Sequence, residues 1–276
     1  MNVYAAGPLA VAKLTIPASG SAPNKELTVH HPTVAGTYPL VVIQHGFILR
    51  STAYDAIAER MASHGYVVVA PQMYAPSFIG APSTDVEAEA AETLYTWLLA
   101  NIDARLPVTV DTTSFGVAGH SRGGKVAWMV RKGGFTEIDA IAGIDPVDSG
   151  GGLLSNETRV ADAPFTFSLP TLIIGTGLGT QRVAGQQCAP DGDNHLEFWD
   201  AAQSPAWHVI APDYGHLDMV DCGILCATCV SGPDDKFVLT TAGLLISFFD
   251  EALKGRVGGY AGLSATAPIT LTTESK

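Results

Sequence analysis

The sequence predicts an α/β fold in which a mostly parallel central sheet is flanked by helices on both faces. Continuous apolar runs such as PLVVIQ (39–44), YVVVAP (66–71) and TLIIGT (171–176) are typical of strands buried on both faces. Segments with apolar residues at helical spacing lie between several of these runs. This alternation predicts parallel strands joined by right-handed crossovers, with ligands bound beyond the carboxyl ends of the strands.

The amino-terminal half begins with two short runs ended by proline, which predict antiparallel strands. The tetrapeptide TDVE (84–87) has the form of a capping box and predicts a helix after a Pro/Gly-rich loop. The predicted strands are 9–17, 26–32, 39–46 and 66–71, a first helix covers 51–64 and ends at Gly65, and the helix after TDVE is expected to bury Val86, Ala90, Leu94, Trp97 and Leu98.

The carboxyl-terminal half continues the alternation of strands and helices. We predict strands at 114–119, 138–144, 171–176 and 206–211, and helices at 122–132 and 237–253. No composition shift marks a linker, so residues 1–255 are expected to form a single domain. The segment 256–276 is polar and Gly-rich, and we expect a loosely ordered tail there.

Composition excludes several classes of protein. With 276 residues, 47% of them hydrophobic and 15% charged, the chain can bury a sizeable core. The net charge of -12 and the lack of a Lys/Arg run argue against a nucleic-acid partner. No stretch reaches roughly 18 uninterrupted apolar residues, and the start lacks the basic region and apolar core of a signal peptide. We therefore expect neither a signal peptide nor a transmembrane segment in this chain.

Three of the four cysteines, Cys222, Cys226 and Cys229, fall within eight residues. Such spacing is also found in iron–sulfur loops, but the rest of the pattern does not fit that class, and no metal site is expected. A disulfide that draws in Cys188, or plain buried thiols, fits better, and the sequence leaves both open.

The pentapeptide Gly119-His120-Ser121-Arg122-Gly123 follows a predicted strand and opens a predicted helix. This is the context of the G-x-S-x-G turn, in which a serine nucleophile projects above the sheet of an α/β-hydrolase fold. Glycines on either side let the strand and the helix approach closely. The alternative is that Ser121 only caps the helix. We favour the nucleophile, and residues 1–255 are then a single α/β-hydrolase catalytic domain.

A serine nucleophile needs a histidine base, which follows it in chain order on this fold. Three of the eight histidines (His30, His31 and His64) precede Ser121, and His208 lies within a strand. His120 occupies the variable position of the motif and is expected to point away from the reacting centre. Of the remaining two, His195 and His216, we favour His216 because it follows a strand and a glycine-containing loop at the carboxyl edge.

The third member must be a carboxylate that fixes the histidine tautomer, and chain order restricts it to residues between 121 and 216. Asp145 ends the strand IDAIAGID and therefore emerges at the same edge of the sheet. Asp148 is the alternative. The strand TLIIGT (171–176) ends without an acid.

Two backbone N–H groups are expected to form the oxyanion hole, those of Phe47 and Arg122. The Arg122 guanidinium is expected either to position other groups or to form a surface salt bridge. Apolar residues in the loops beside the nucleophile either pack onto the sheet or form the mouth for a hydrophobic ester. The candidate substrate mouth comprises Phe47, Ile48, Leu49, Phe78 and Ile79.

Taken in order, several blocks resemble those of the chlorophyllase family. They include SHGYVVVAPQMY (63–74), AGHSRGGKVA (118–127), GIDPVD (143–148), CAPDGDNHLEFW (188–199) and PAWHVIAPDYGHLDMVD (205–221), and the similarity extends over about 29–253. The resemblance implies Ser121 as nucleophile, Asp145 as acid and His216 as base. The loop 75–84 and the stretch 222–229 differ from the plant pattern.

The resemblance further implies hydrolysis of the phytyl ester of chlorophyll to chlorophyllide and phytol, without a metal or organic cofactor in the enzyme. The apolar loops of the candidate mouth would allow transient contact with pigment-bearing membranes. The departures from the plant pattern leave the expected location open between the cytoplasm of a bacterium or alga and, if a leader has been removed, a plastid. The alternatives are a carboxylesterase of the cutinase or polyester-hydrolase type and a non-catalytic pigment or lipid carrier on the same scaffold.

Overall fold

A computed structural model describes residues 2–20, 23–77, 80–149, 157–256, 258, 260 and 263–276 of the chain. The strands are β1 (Val11–Ile16), β2 (Glu26–Pro32), β3 (Thr37–Gln44), β4 (Val67–Gln72), β5 (Thr109–His120), β6 (Ala140–Ile144), β7 (Thr171–Thr176), β8 (Arg182–Val183), β9 (Gln186–Gln187), β10 (Ala206–Ala211) and β11 (Thr272–Ser275). The α-helices are α1 (Asp55–Ser63), α2 (Thr84–Asn101), α3 (Arg122–Lys132), α4 (His195–Ala201), α5 (Lys236–Lys254) and α6 (Leu263–Thr266).

Nine strands form one sheet in the order β1-β2-β4-β3-β5-β6-β7-β10-β11. The pairs from β4 through β10 are parallel, whereas β1 and β2 at one edge and β11 at the other are antiparallel to their neighbours. The predicted fold class, with a mostly parallel sheet and an antiparallel opening, is confirmed. β8 and β9 form a separate small hairpin.

Helices cover both faces of the sheet, as predicted. Along β3, the side chains of Leu40 and Val42 enter the core beneath α2 and α3, and those of Val41 and Ile43 enter the core beneath α1 and α5. All four side chains are fully buried, which explains why the sequence of this strand is continuously apolar and does not alternate between apolar and polar residues. Burial of each such side chain contributes about 1.5–3 kcal/mol.

The start of α2 differs from the predicted capping box. Ser83 is the N-cap residue, and its side chain accepts a hydrogen bond from the N–H of Val86, so Thr84 is already the first helical residue. The buried face also includes Glu87 and Tyr95: Oε2 of Glu87 pairs with the buried Arg122, and the hydroxyl of Tyr95 accepts from the buried Gln44. Of the expected face, Leu94 and Leu98 are buried, Ala90 and Trp97 are half-buried, and Val86 is exposed.

The segment 256–276, which we expected to be a loosely ordered tail, contributes a strand to the sheet. β11 pairs with β10 over Thr272–Ser275, and the N–H and C=O groups of Lys276 bond to Ala206. Tyr260 and Leu263 are also buried against α5 and β10. Without β11, β10 would be an edge strand with unpaired backbone groups, and the polar sequence TTES satisfies them while leaving its own side chains exposed.

All four cysteines are joined in disulfides, Cys188 to Cys229 and Cys222 to Cys226. The sequence left open disulfides or buried free thiols, and the interpretation with disulfides is confirmed. No cysteine thiolate remains for an iron–sulfur cluster. Both cross-links flank the loop that follows β10, which carries His216.

No helix within the described part of the chain has the length and hydrophobicity that a membrane span requires.

The two disulfides are expected to stabilise the fold unequally. Cys188–Cys229 spans 41 residues and Cys222–Cys226 spans 4, so the loop-closure entropy removed from the unfolded chain differs. We predict that replacing the first pair with alanine lowers the free energy of unfolding by about 2 kcal/mol more than replacing the second pair. Denaturant titrations of the two double variants measure this difference, and the opposite order would contradict it.

Candidate active site

Four segments of the candidate site lie at one edge of the sheet because each follows the carboxyl end of a parallel strand. Ser121 follows β5, Asp145 follows β6, and the loop that carries His216 follows β10. The turn 45–49, here called the oxyanion loop, follows β3. The topology thus gathers residues that are distant in sequence at the edge where the sequence predicts a ligand site.

Ser121 lies on a strained turn between β5 and α3. Its φ of 54° is in the region that a residue with a Cβ rarely adopts. A Cβ on Gly119 would lie 2.2 Å from the carbonyl oxygen of Gly123, and one on Gly123 would lie 2.5 Å from the carbonyl oxygen of Gln44, so both positions need glycine. The Ser121 side chain makes no capping hydrogen bond to α3, which argues against the capping alternative.

Asp145 and His216 are joined by a hydrogen bond of 2.6 Å between Oδ2 and Nδ1. Thr176, at the end of β7, adds two more donors to the same carboxylate: its N–H at 3.0 Å from Oδ1 and its hydroxyl at 2.8 Å from Oδ2. Burial works to raise the pKa of Asp145, but the hydrogen bonds from His216 and Thr176 outweigh it and hold the pKa below its usual value. An ionised Asp145 that accepts from Nδ1 leaves Nε2 of His216 as the basic atom.

The alternative residues have other partners. Asp148 accepts from the N–H groups of Val160 at 2.8 Å and Ala161 at 3.0 Å. Nδ1 of His195 lies 2.8 Å from Nε2 of His208. The other ring nitrogen of His208, Nδ1, bonds to Glu274 on β11. Neither Asp148 nor His195 is therefore joined to His216. Within the described residues, no hydrogen bond joins the hydroxyl of Ser121 to the ring of His216; in enzymes without substrate such contacts are often long.

The oxyanion loop packs directly against the serine. A Cβ on Gly46 would lie 3.2 Å from Cβ of Ser121 and 3.3 Å from Cδ1 of Leu49. Ile48 has a φ of 53°, which is an outlier for a β-branched residue and fixes the direction of the loop. The Arg122 N–H belongs to the first residue of α3, at the end of the helix where backbone donors and the helix dipole favour negative charge.

His120 points towards the site rather than away from it, so that expectation is wrong. Its Nδ1 lies 2.8 Å from the hydroxyl of Tyr54, and its Nε2 lies 2.9 Å from the carbonyl oxygen of His216. The rings of His120 and His216 are 4.7 Å apart. Burial lowers the pKa of His120 to about 3, so the ring is neutral at physiological pH. Sequence reasoning missed Tyr54 and Thr176 because nothing local marks either as polar support.

The guanidinium of Arg122 is buried, so a surface salt bridge is wrong for this residue. Its Nε pairs with Glu87 of α2 at 2.7 Å, and its other nitrogens bond to Glu157 at 3.3 Å and to the carbonyl oxygen of Pro82 at 2.5 Å. Burial raises the pKa of Glu87 to about 7 against the attraction of Arg122. This pair fixes α2 against the start of α3.

A groove of about 490 Å³ opens beside the oxyanion loop. Ile48 and Leu49, two members of the expected mouth, line it, and so do Ile224 and Leu225 of the turn after Cys222, which sequence reasoning missed. Phe78 and Ile79, also expected in the mouth, lie outside the described residues, and Phe47 is not among the groove-lining residues. A second cavity of about 320 Å³ beside β11 contains no candidate site residue.

A mostly parallel sheet, a serine on a strained strand-to-helix turn and a buried Asp–His pair at the same edge define an α/β-hydrolase. The chain belongs to the chlorophyllase family, whose sequence model matches residues 1–275. The resemblance seen in the sequence blocks is thereby confirmed.

Three relatives show how close the similarity is. Chlorophyllase-2 of Arabidopsis thaliana is 38% identical over 84% of this chain and 79% of its own length. Chlorophyllase-1 of the same plant is 33% identical over 85% and 78%. Chlorophyllase-1, chloroplastic, of Citrus unshiu is 34% identical over 80% and 68%. At the level of the family, the chain is a carboxylic ester hydrolase of the kind that acts on chlorophyll.

The buried Arg122–Glu87 pair provides a stability test. We predict that Arg122→Ala lowers the free energy of unfolding by about 3–5 kcal/mol, since it leaves a buried carboxylate without its partner. Lys132→Ala is the matched control, because Lys132 and Asp162 form an ion pair whose side chains are 44% and 57% exposed. Its loss is expected to stay below about 1 kcal/mol. Equal losses for the two variants in denaturant titrations would contradict the prediction.

Proposed function

We propose that this protein hydrolyses the phytyl ester of chlorophyll to chlorophyllide and phytol through an acyl-enzyme on Ser121. The observation that carries the proposal is the hydrogen-bonded pair of Asp145 and His216 at the same sheet edge as Ser121, in a chain of the chlorophyllase family. A non-catalytic carrier would not need a strained serine beside a paired aspartate and histidine.

In the first half of the reaction, Nε2 of His216 takes the proton of the Ser121 hydroxyl as Oγ attacks the carbonyl carbon of the propionate ester. The negative charge that forms on the carbonyl oxygen is held by the N–H groups of Phe47 and Arg122, each worth about 3 kcal/mol of transition-state stabilisation. The C–O bond to phytol then breaks, and the imidazolium of His216 gives its proton to the departing alcohol oxygen.

In the second half, a water molecule takes the place of phytol. His216 removes a proton from the water as its oxygen attacks the acyl carbon, and the bond to Oγ of Ser121 breaks as that oxygen regains a proton. Chlorophyllide leaves as a carboxylic acid. Asp145 remains ionised throughout, since it stabilises the imidazolium without accepting its proton.

The groove beside the oxyanion loop is our candidate for binding the phytyl chain. Its walls include the apolar side chains of Ile48, Leu49, Ile224 and Leu225, and its volume of about 490 Å³ is in the range of small-molecule sites. Gly46 brings it close to the nucleophile, since a Cβ at that position would touch both Leu49 and Ser121. An ester oxygen at Ser121 therefore has an apolar surface nearby for a branched alkyl chain.

The proposed reaction is tested by incubating chlorophyll a with the purified protein and separating the products by chromatography. Chlorophyllide and phytol are expected from the parent and not from Ser121→Ala. Cleavage of short p-nitrophenyl esters without pigment turnover would contradict the proposed substrate and favour an esterase of the cutinase or polyester-hydrolase type. Turnover of chlorophyll by Ser121→Ala would contradict the proposed nucleophile.

Asp145 and Asp148 form a matched pair for testing the acid, since both are fully buried and only three residues apart. We predict that Asp145→Asn lowers kcat roughly thousandfold or more, because the amide cannot fix the tautomer of His216 or stabilise its cation. Asp148→Asn is expected to keep a kcat close to that of the parent. Steady-state kinetics measures both, and a comparable loss in Asp148→Asn would contradict the assignment.

The groove is tested with two pigment esters that differ only in the alcohol. We predict that Ile224→Asp lowers kcat/KM for the phytyl ester about tenfold and leaves the methyl ester of the same pigment unaffected, because only the long chain reaches the groove. Val34→Asp is the control, since Val34 is also an exposed apolar residue and does not line the groove. Equal losses for both esters would contradict this use of the groove.

A further inference from the structure

Two buried side chains, Tyr54 and His120, lie between the oxyanion loop and the loop that carries His216. The N–H of Gly46 donates to the Tyr54 hydroxyl at 2.9 Å. The same hydroxyl lies 2.8 Å from Nδ1 of His120, whose Nε2 lies 2.9 Å from the carbonyl oxygen of His216. Three hydrogen bonds therefore join the start of the oxyanion loop to the backbone of His216, the proposed base.

The donors and acceptors allow only one direction along this chain. The carbonyl oxygen of His216 can only accept, so Nε2 of the neutral His120 ring must carry the proton, and Nδ1 accepts from the Tyr54 hydroxyl, whose oxygen accepts from the N–H of Gly46. Nδ1 is then an acceptor, and the neutral imidazole carries its proton on Nε2. That proton is donated to the carbonyl oxygen of His216. Each hydrogen bond fixes the direction of the next.

This chain of hydrogen bonds from Gly46 through Tyr54 and His120 to His216, here called the bridge, is buried away from water. Tyr54 and His120 are fully buried, and Gly46 and His216 are buried as well. No solvent molecule can therefore replace a partner without displacing a side chain, and an unmade bond would leave a buried polar group unsatisfied. Such a chain has one stable arrangement, which is the property that a support for a catalytic site needs.

We propose that Tyr54 and His120 are positioning residues that set the placement of His216 relative to the Phe47 N–H. The inference rests on the proposed serine mechanism and goes beyond it. The two loops follow β3 and β10, which are four strands apart in the sheet, so the sheet alone does not join them. Misplacement of catalytic groups by about 1 Å can cost about a hundredfold in rate.

The direction of the bridge also protects the base electrostatically. The His120 ring is 4.7 Å from that of His216, so a cation on His120 would oppose the protonation of His216 during the reaction. A proton that arrives from Tyr54 occupies the lone pair of Nδ1 and leaves it an acceptor. His120 thus supports the base without competing with it for a proton.

The first test is the tautomer of His120, which is independent of activity. In the parent protein with isotope-labelled histidine, nuclear magnetic resonance should show an unprotonated Nδ1 and a protonated Nε2, unchanged between about pH 5 and pH 8. The His120 signals are identified by their absence in His120→Gln. A proton on Nδ1, or titration of the ring in this range, would overturn the proposal.

The second test compares tyrosine variants. Tyr54→Phe is expected to lower kcat roughly tenfold to hundredfold while KM changes less than about twofold, since the misplaced donor and base act in the transition state. Tyr66→Phe is the matched control: Tyr66 is also fully buried and loses a hydroxyl bonded to Asp250 at 2.7 Å, but that hydroxyl bonds to α5 and not to the oxyanion loop. Equal changes in kcat for the two folded variants would overturn the proposal.

A conservative variant adds a rescue test. Glutamine carries one acceptor and one donor at a spacing close to that of the two ring nitrogens, so His120→Gln should retain at least tenfold more activity than His120→Phe. Equal activities would overturn the bridge. Failure of the underlying mechanism has a different signature, because the parent's Ser121 would then not react with a fluorophosphonate while the tautomer result would be unaffected.

Discussion

The hydrogen bond between Asp145 and His216 is the contact on which the proposed site depends. A carboxylate buried this deeply would normally become neutral, and a neutral acid would lack the negative charge that stabilises the imidazolium. The hydrogen bond and the charge of His216 chiefly prevent this, and the two donors of Thr176 add to their effect, so that the pKa of Asp145 stays below its usual value. β7 therefore contributes to the site through a threonine, at the position where the sequence shows no acid.

The groups around this contact are held by backbone strain and by buried pairs. Ser121, Asp145 and Ile48 all have positive φ values and all lie at the carboxyl edge of the sheet. Such conformations persist only where the surrounding structure enforces them. The Arg122–Glu87 pair joins the start of α3 to α2, and two disulfides constrain the segments beside the loop that carries His216. The reactive groups thus depend on supports that lie outside the site itself.

Much of this arrangement could be predicted from local patterns. The apolar runs identify the strands, and the G-x-S-x-G turn together with strand ends points to Ser121, Asp145 and His216. Contacts between residues far apart in sequence could not be predicted. β11 pairs with the edge strand β10 through its backbone, so its polar sequence lacks the apolar pattern of a buried strand. The spacing of the cysteines fits several disulfide pairings. The orientation of His120 depends on Tyr54, which is 66 residues away and has no local polar signature.

The central claim is that the Asp145–His216 pair makes Ser121 a nucleophile, and covalent labelling tests it most directly. A fluorophosphonate should modify the parent protein at one position, which peptide mass spectrometry should locate at Ser121. His216→Ala should lose this labelling while remaining folded by circular dichroism. Labelling at another serine, or undiminished labelling of Ser121 in His216→Ala, would contradict the account.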